Sequence, residues 1–309
     1  MSSRRKARPI FRKSRSDKEE VWWWGFHCVA LLDILGQRRK LQQLPRLPKK
    51  DDVTTKLIAE TVGNVLRLRT HLASVFEEFA KPTVYLRHLP RDAQKRILQA
   101  RKLKFQGFSD LIAMQVSFAG DQEQCAPMIG VYGCIAACCM MHMVGLSTKS
   151  PIRGGIEVGL GMHIAENEVY GPVLERAYYL ESELAEYPRI LVGDQLTSYL
   201  DEVEANAPTT PLGRVAQSLA SRSKQFIDVD TDGLRILDFL GEPMVKLTPP
   251  GQHQKLFPPA VEYIEEQKRV ATETNDQKLL KRYERLGDYF EKRRALWSPH
   301  LIEPQESPR

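Results

Sequence analysis

Asp33 and Asp110 are the residues whose setting suggests chemistry. Asp33 ends the apolar run VALLDILG, and Asp110 lies in GFSDLIAMQ, so each carboxylate stands at the edge of a stretch suited to burial. Two carboxylates brought side by side repel unless a cation neutralises them. Hard oxygen ligands suit Mg2+ or Mn2+, which keep some of their water and complete their shell on substrate phosphates. Aspartate also caps helices and makes turns, which on residue type alone is its commoner role. The elements around the pair decide between these uses.

Residues His27 to Leu32 make a short apolar run suited to a central strand, with Gly36 allowing a tight exit after Asp33. The polar QRRKLQQLPRLPKK that follows is a loop or broken helix. From Asp52 to Ala80, Leu57, Ile58, Val62, Val65, Leu66, Leu72 and Val75 recur at helical spacing, and Pro82 ends that helix. A basic helical piece is expected over Pro90 to Lys102. LKFQGFSDLIAMQVSF predicts two strands joined at Gly107 to Asp110. An apolar helix over 122–147 comes next, then a strand from Arg153 to Leu160. Gly154, Gly155 and Gly159 keep that strand bare beside something that approaches closely. A helix over 171–186 enters through Gly171-Pro172, RILV is a further strand, and Asp194 is placed to cap a helix to about Glu204. KQFIDVDTDGLRILDFLG predicts a hairpin turning at Asp232-Gly233. LTPPGQHQKLFPPA is expected as a Pro-rich linker, and Tyr263 to Leu296 as one long helix with Leu279, Leu280, Tyr283, Leu286 and Phe290 along one stripe. This order of strands and helices predicts an α+β fold, a ferredoxin-like α/β sandwich (βαββαβ) with a mainly antiparallel sheet and helices on one face, extended by a C-terminal hairpin and long helix. In such a sheet Asp33 and Asp110 lie side by side.

A chain of 309 residues with 42% hydrophobic and 27% charged residues is long enough for a substantial core. The net charge of +6 is concentrated in residues 1–20, where eight Lys and Arg face three acidic residues. The folded body is then near neutral and gives no charge case for nucleic-acid binding. The first twenty residues are expected as a basic disordered tail, 21–245 as the main domain, and 246–309 as linker and helix. The five cysteines fall in apolar runs without paired CxxC spacing, which suits buried thiols and a cytoplasmic location. From Gln124 to Thr148 there is no charged residue, but Pro127 and the glycines there favour a helix buried on a sheet over a membrane span. Trp22, Trp23 and Trp24 cannot all face one core, so at least one belongs at the surface or against another chain.

Taken together, LLDILG, FSDLI, IRGGIEVG, EVYGPVLERAYYLE and YPRILV resemble, in order and spacing, the catalytic domain of class III nucleotidyl (adenylate/guanylate) cyclases. The likeness spans about residues 26 to 240 and is nearest to the bacterial branch with a D-I-L-G first strand and an R-G-x-I-x-x-G strand. It implies that Asp33 and Asp110 bind two Mg2+ or Mn2+ ions, with the Ile34 carbonyl as an auxiliary ligand. Gly36 and Gln37 would begin the loop around the triphosphate, and Gln106 and Glu168 fall on the base-reading positions. Neither standard base-reading pair is present, which leaves the base open, a pyrimidine included, since bacterial anti-phage pyrimidine cyclases share the fold. The family's ribose-orienting Asn and transition-state Arg fall on Glu175 and Tyr179. Tyr cannot supply a guanidinium's charge, so Arg176, Arg189 or Arg235 would have to substitute. The resemblance further implies a head-to-tail homodimer acting on a nucleoside triphosphate to form a 3′,5′-cyclic nucleotide and pyrophosphate for intracellular signalling. The alternative is a cyclase-fold protein that binds nucleotide without turnover, as a sensor or interaction module.

Overall fold

The computed structural model describes residues 23–44, 50–80, 91, 94, 95, 97, 103–118, 125–165 and 168–301. The basic tail, Trp22, Pro82 and most of the helix expected over 90–102 lie outside the described residues. Strand β1 (Trp23–Ile34) is paired along its length with one neighbour and from His27 to Asp33 with the other. After a turn and a short helix α1 (Gln37–Leu41), the chain forms α2 (Asp52–Phe79), β2 (Leu103–Phe108), β3 (Leu111–Ser117), α3 (Cys125–Ser147) and β4 (Ile152–Ala165). The order β2-β3-β1-β4 with every pair antiparallel is the ferredoxin-like arrangement expected from the sequence.

Alternation along β1 divides the interior in two. Cys28, Ala30 and Leu32 point into the larger core with Phe76 of α2 and much of α3. Val29 and Leu31 point the other way, into a small cluster with Ala113, Val169, Val173 and Ala177. That second face is covered by β5 (Glu168–Tyr170) and α4 (Pro172–Tyr179), so helices lie on both faces of the sheet rather than on one. The helix expected over 171–186 stops early, and a π turn at Leu180–Leu184 completes it. Gly155 makes this close approach possible, since a Cβ there would lie 2.5 Å from the Ala177 carbonyl and from Leu180 Cβ.

Helix α3 is the one helix among the described residues long and apolar enough to cross a membrane. It is buried on nearly every side because the sheet, α2 and the C-terminal helices surround it, which explains an apolar surface all round. All five cysteines are buried and unpaired by disulfides, and burial pushes the Cys134, Cys138 and Cys139 thiols up. Trp24 is 46% exposed and Phe26 56% exposed, in accord with a surface position for at least one of the tryptophans.

The sheet continues through β6 (Ile190–Val192), parallel to β4, and the hairpin of β8 (Arg235–Leu237) and β7 (Ile227–Val229). Between them lie α5 (Asp194–Asn206) and α6 (Pro211–Lys224), the latter not anticipated from sequence. Asp194 does not cap α5: it is the first helical residue and pairs with Arg235 at 2.7 Å. The buried Glu157 of β4 does that work, with its Oε1 accepting from the Leu196 N–H at 2.8 Å.

The second half of the expected Pro-rich linker is helical, and its first half, 248–252, is a turn between helices. A short helix α7 (Glu242–Leu247) leads to α8 (His253–Glu273), which contains Pro258 and Pro259. Packing of Phe257, Ala260 and Ile264 in the core outweighs the backbone bonds that the two prolines forgo. The single long helix is two, α8 and α9 (Gln277–Trp297), separated where Asn275 adopts a φ of 52° and Asp276 caps α9 through the Leu279 N–H. The boundary expected at 245/246 therefore falls inside α7, and α8 and α9 share the main core. Trp297 is fully buried, stacks on Phe257 and donates its Nε1–H to the Leu240 carbonyl at 2.9 Å.

Trp297→Ala is expected to cost about 3–5 kcal/mol. Urea unfolding would read this as one cooperative transition at a lower midpoint. A separate early transition with the remainder unchanged would place α9 outside the core.

Candidate functional site

Asp33 is the last but one residue of β1, and Leu111 of β3 and Arg153 of β4 are its register partners. All three are of the strand parity that faces α4. Asp110 precedes Leu111 at the hairpin tip, where Ser109 takes a φ of 59°. The sheet thus brings together the two aspartates that stand 77 positions apart in sequence. The charge of Asp110 is felt at Asp33. The Asp33 carboxyl is raised from the ordinary 3.8 to about 6, chiefly by burial, then by Glu181 and Asp110, with Arg153 opposing.

Arg153 and Glu181 complete this cluster, and neither was singled out from the sequence as a site residue. The Arg153 guanidinium lies 3.7 Å from the Asp33 carboxylate and 2.5 Å from Glu181, which is 3% exposed in the π turn. Arg153 was visible only as part of the RGG stretch. Its partnership with Asp33 depends on strand register, which single-sequence patterns do not specify.

A cavity of about 630 Å³ opens beside Leu111 on the α4 face. Its walls are apolar, from Leu31, Leu111, Ala113, Met162 and Leu174, with Gln106, Tyr170, Glu175 and Tyr178 as the polar side chains. The volume is in the range of small-molecule sites. Gln106 Oε1 accepts from the Val169 N–H at 3.1 Å, which ties β2 to β5 and leaves the amide nitrogen as the group to turn toward a ligand. Glu168, next to Val169, is exposed. The structure therefore brings Gln106, Glu168 and Glu175 to one region.

Other expected site residues are placed differently. Tyr179 is 54% exposed and does not line the cavity; Tyr178 does, because it follows Glu175 by three residues on the same helical face. Arg176 is exposed on α4, and its charge acts on Glu157. Arg235 is held by Asp194 on the far side of β6. Arg189 is 1% exposed and gives its guanidinium to Asp230, to Asp232 at 2.7 Å and to the Leu184 carbonyl at 3.0 Å. Burial works to raise the Asp232 carboxyl, but hydrogen bonds from Arg189 and Arg285 hold it well below the usual range. Arg189 is thus held in a structural ion-pair network and does not line the apolar cavity.

Gly36, with a φ of 86°, turns the chain from β1 into α1, and Gln37 behind it is 3% exposed. Among the described residues the Gln37 Oε1 has no hydrogen-bond partner, which leaves a buried acceptor just beyond Asp33. Ile34 is buried by its side chain in the large core. Among the described residues no three His, Cys, Asp or Glu side chains converge as a metal centre.

No family model matches the chain, and no curated protein matches it in sequence. Solved structures similar to it include the adenylyl cyclase CyaB of P. aeruginosa, at 16% identity over 59% of this chain and 84% of that one, with a TM-score of 0.36. A class III adenylyl cyclase-like ATP-binding protein from Pseudomonas aeruginosa is 14% identical over 65% of this chain and 41% of that one, with a TM-score of 0.35. The catalytic core of a rhodopsin-guanylyl cyclase with converted specificity, in complex with ATPalphaS, is 12% identical over 57% and 81%, with a TM-score of 0.32. Likeness of this extent transfers no residue's role.

Two outcomes follow from the charges. The folded-state Asp33 carboxyl titrates above its unfolded value, so ionising it lowers stability as pH rises from about 4 to about 6. Asp33→Asn removes that penalty and is expected to stabilise the protein at pH 8 by about 1–3 kcal/mol, with the gain fading toward pH 4. Urea midpoints across that range test it, and a gain independent of pH would contradict it. Arg189→Ala takes the most buried cation from Asp230 and Asp232, leaving them to Arg285, and is expected to cost about 3–5 kcal/mol. An Arg189→Ala protein of undiminished melting temperature would return Arg189 to the list of catalytic candidates.

Proposed function

We propose that this chain is a nucleotidyl cyclase, converting a nucleoside triphosphate to a 3′,5′-cyclic nucleotide and pyrophosphate. One observation carries the reading: Asp33 and Asp110 meet at the rim of the sheet directly beside an apolar cavity large enough for a base and ribose. The triphosphate would lie over the aspartates and the nucleoside would enter the cavity.

The donor set fits two Mg2+ or Mn2+ ions. Asp33 and Asp110 offer hard oxygens that repel each other without a cation, and the Ile34 carbonyl would serve as an auxiliary ligand. With Glu181 engaged by Arg153, Asp33 and Asp110 are the carboxylates left for the ions, and the rest of the shell falls to substrate phosphates and water. Bound there, the ions would supply charge neutralisation at the phosphates and activation of the attacking oxygen.

The protein's own groups bind and orient. Arg153, held by Glu181, sets a positive charge 3.7 Å from the Asp33 carboxylate and opposes the effect of burial on it. The Gly36-Gln37 turn offers backbone to the phosphates, and Glu175 is placed to accept from a ribose hydroxyl. Gln106 can donate its amide to the edge of the base, with Glu168 nearby. The ribose 3′-hydroxyl would attack the α-phosphate and pyrophosphate would leave. Arg176, exposed on α4, is the remaining one of the three proposed arginines able to reach substrate, in its own or a partner's site, which suits a head-to-tail homodimer. A cytoplasmic signalling role, anti-phage signalling included, accords with this chemistry.

A second reading, nucleotide binding without turnover, is favoured by one feature. Among the described residues no Lys or Arg lines the cavity, while Glu175 places an acid there. Such a site would hold the nucleoside and lack the cation that stabilises a pentavalent phosphate.

Purified protein incubated with Mn2+ and each of ATP, GTP, CTP and UTP is expected to yield one cyclic product detectable by mass spectrometry. Asp33→Ala and Asp110→Ala should each lower it by on the order of 100-fold or more, given the several kcal/mol that metal-bound charge stabilisation supplies. Binding without product supports the second reading, and full product from Asp33→Ala would remove the metal assignment.

A further inference from the structure

Helix α9 carries a cationic stripe: Lys278, Lys281, Arg282, Arg285, Lys292 and Arg293 fall at helical spacing on one side. Its later members are neutralised. Arg293 and Lys292 bond Asp228, and Arg293 also bonds Asp238. Arg285 reaches Glu186 at 2.9 Å and Asp232 at 2.9 Å. The earlier members are not: among the described residues, no carboxylate lies within ion-pair distance of Lys278, Lys281 or Arg282. These three stand in the first two turns of a 21-residue helix, where the dipole disfavours positive charge and the acid at the N-terminus, Asp276, is turned onto the Leu279 N–H as the cap.

This excess faces a concavity. A groove of about 370 Å³ runs between the π turn and α9, with Arg153, Lys278, Lys281, Arg282 and Arg285 along it. Its two carboxylates do little to balance them, since Glu186 is engaged by Arg285 and Glu183 is a single exposed acid at the rim. Ser182 and Tyr187 also line it, their hydroxyls donated to Glu183 and Asp230. The groove shares no lining residue with the apolar cavity, and the two lie on opposite sides of Asp33, Leu111 toward one and Arg153 toward the other.

We propose that this groove is a binding site for an oligophosphate anion, distinct from the cavity at α4. Several cations spread along a trough of this size match a chain of linked phosphates better than one tetrahedral anion. The phosphate chain can come from free pyrophosphate or from the tail of a nucleotide. Arg153 belongs both to the groove and to Asp33, so an anion in the groove draws on the guanidinium that balances Asp33. The proposal does not depend on turnover at Asp33.

Calorimetric titration of the full chain in EDTA, at low salt, provides the test. Pyrophosphate is expected to bind at least tenfold more tightly than orthophosphate or sulfate, and to weaken as salt rises. Lys281→Gln with Arg282→Gln should weaken it at least tenfold, while Asp110→Asn and Gln106→Ala leave it unchanged. If ATP binds more tightly than pyrophosphate and the double variant abolishes that excess, a nucleotide tail is the occupant; equal affinities identify the phosphate chain alone. Should the half-buried Arg282 prove necessary for folding, Lys278→Gln with Lys281→Gln, both exposed, carries the same comparison. Absence of pyrophosphate binding, sulfate binding as tightly, or affinity unchanged in the substituted proteins would each overturn the proposal.

Discussion

The structure turns on the charge balance at the end of its central strand. Asp33 is half-buried among Glu181 and Asp110, and Arg153 is the cation set against them. β1 is paired on both sides as far as Asp33, so Asp33 cannot withdraw from this company by a local shift. A carboxylate in that position is costly unless something positive is near. A site with one arginine and surplus acid is primed for further cations, and that is the physical basis for proposing divalent ions there.

The rest of the molecule holds this arrangement rigid. α2 and α3 bury one face of the sheet, and α4 presses on the other through the bare backbone at Gly155. The π turn after α4 widens the helix at the point where Glu181 must reach inward to Arg153. Such turns recur at functional positions because they redirect a side chain without ending the helix. On the far side, α8 and α9 pack their aromatics against α3 and the β8 region, while the acids of the β7–β8 hairpin absorb the later cations of α9. Arg189 belongs to that network and serves the hairpin's position.

Much of the fold was legible in the sequence. The apolar run at His27–Leu32, the helical period after Asp52, the hairpin at Ser109-Asp110 and the uncharged stretch to Thr148 each carry a local signal of the right period. The ferredoxin-like order follows from their succession. The ends of elements were less legible: the strand begun at Arg153 runs on to Ala165, and the helix from Gly171 gives way to a π turn. The C-terminal region misled because Pro258 and Pro259 signal a break locally, whereas Phe257 and Ile264 find enough core to keep the helix intact. The helix over Pro211–Lys224 escaped notice because its apolar face is made largely of small residues such as Ala216 and Ala220.

By itself, the sequence determined the order of elements from β1 to β4 and the two aspartates, because hydrophobic period and turn residues are local properties. Only the tertiary structure decided which charges meet. It set Arg153 against Asp33, drew Glu181 in beside them, removed Arg189 into a buried ion network, exchanged Tyr179 for Tyr178 at the cavity, and left the first turns of α9 unbalanced. Those outcomes depend on strand register and on packing between segments far apart in the chain. Electrostatic energy follows distance and burial, which residue spacing along the chain does not specify.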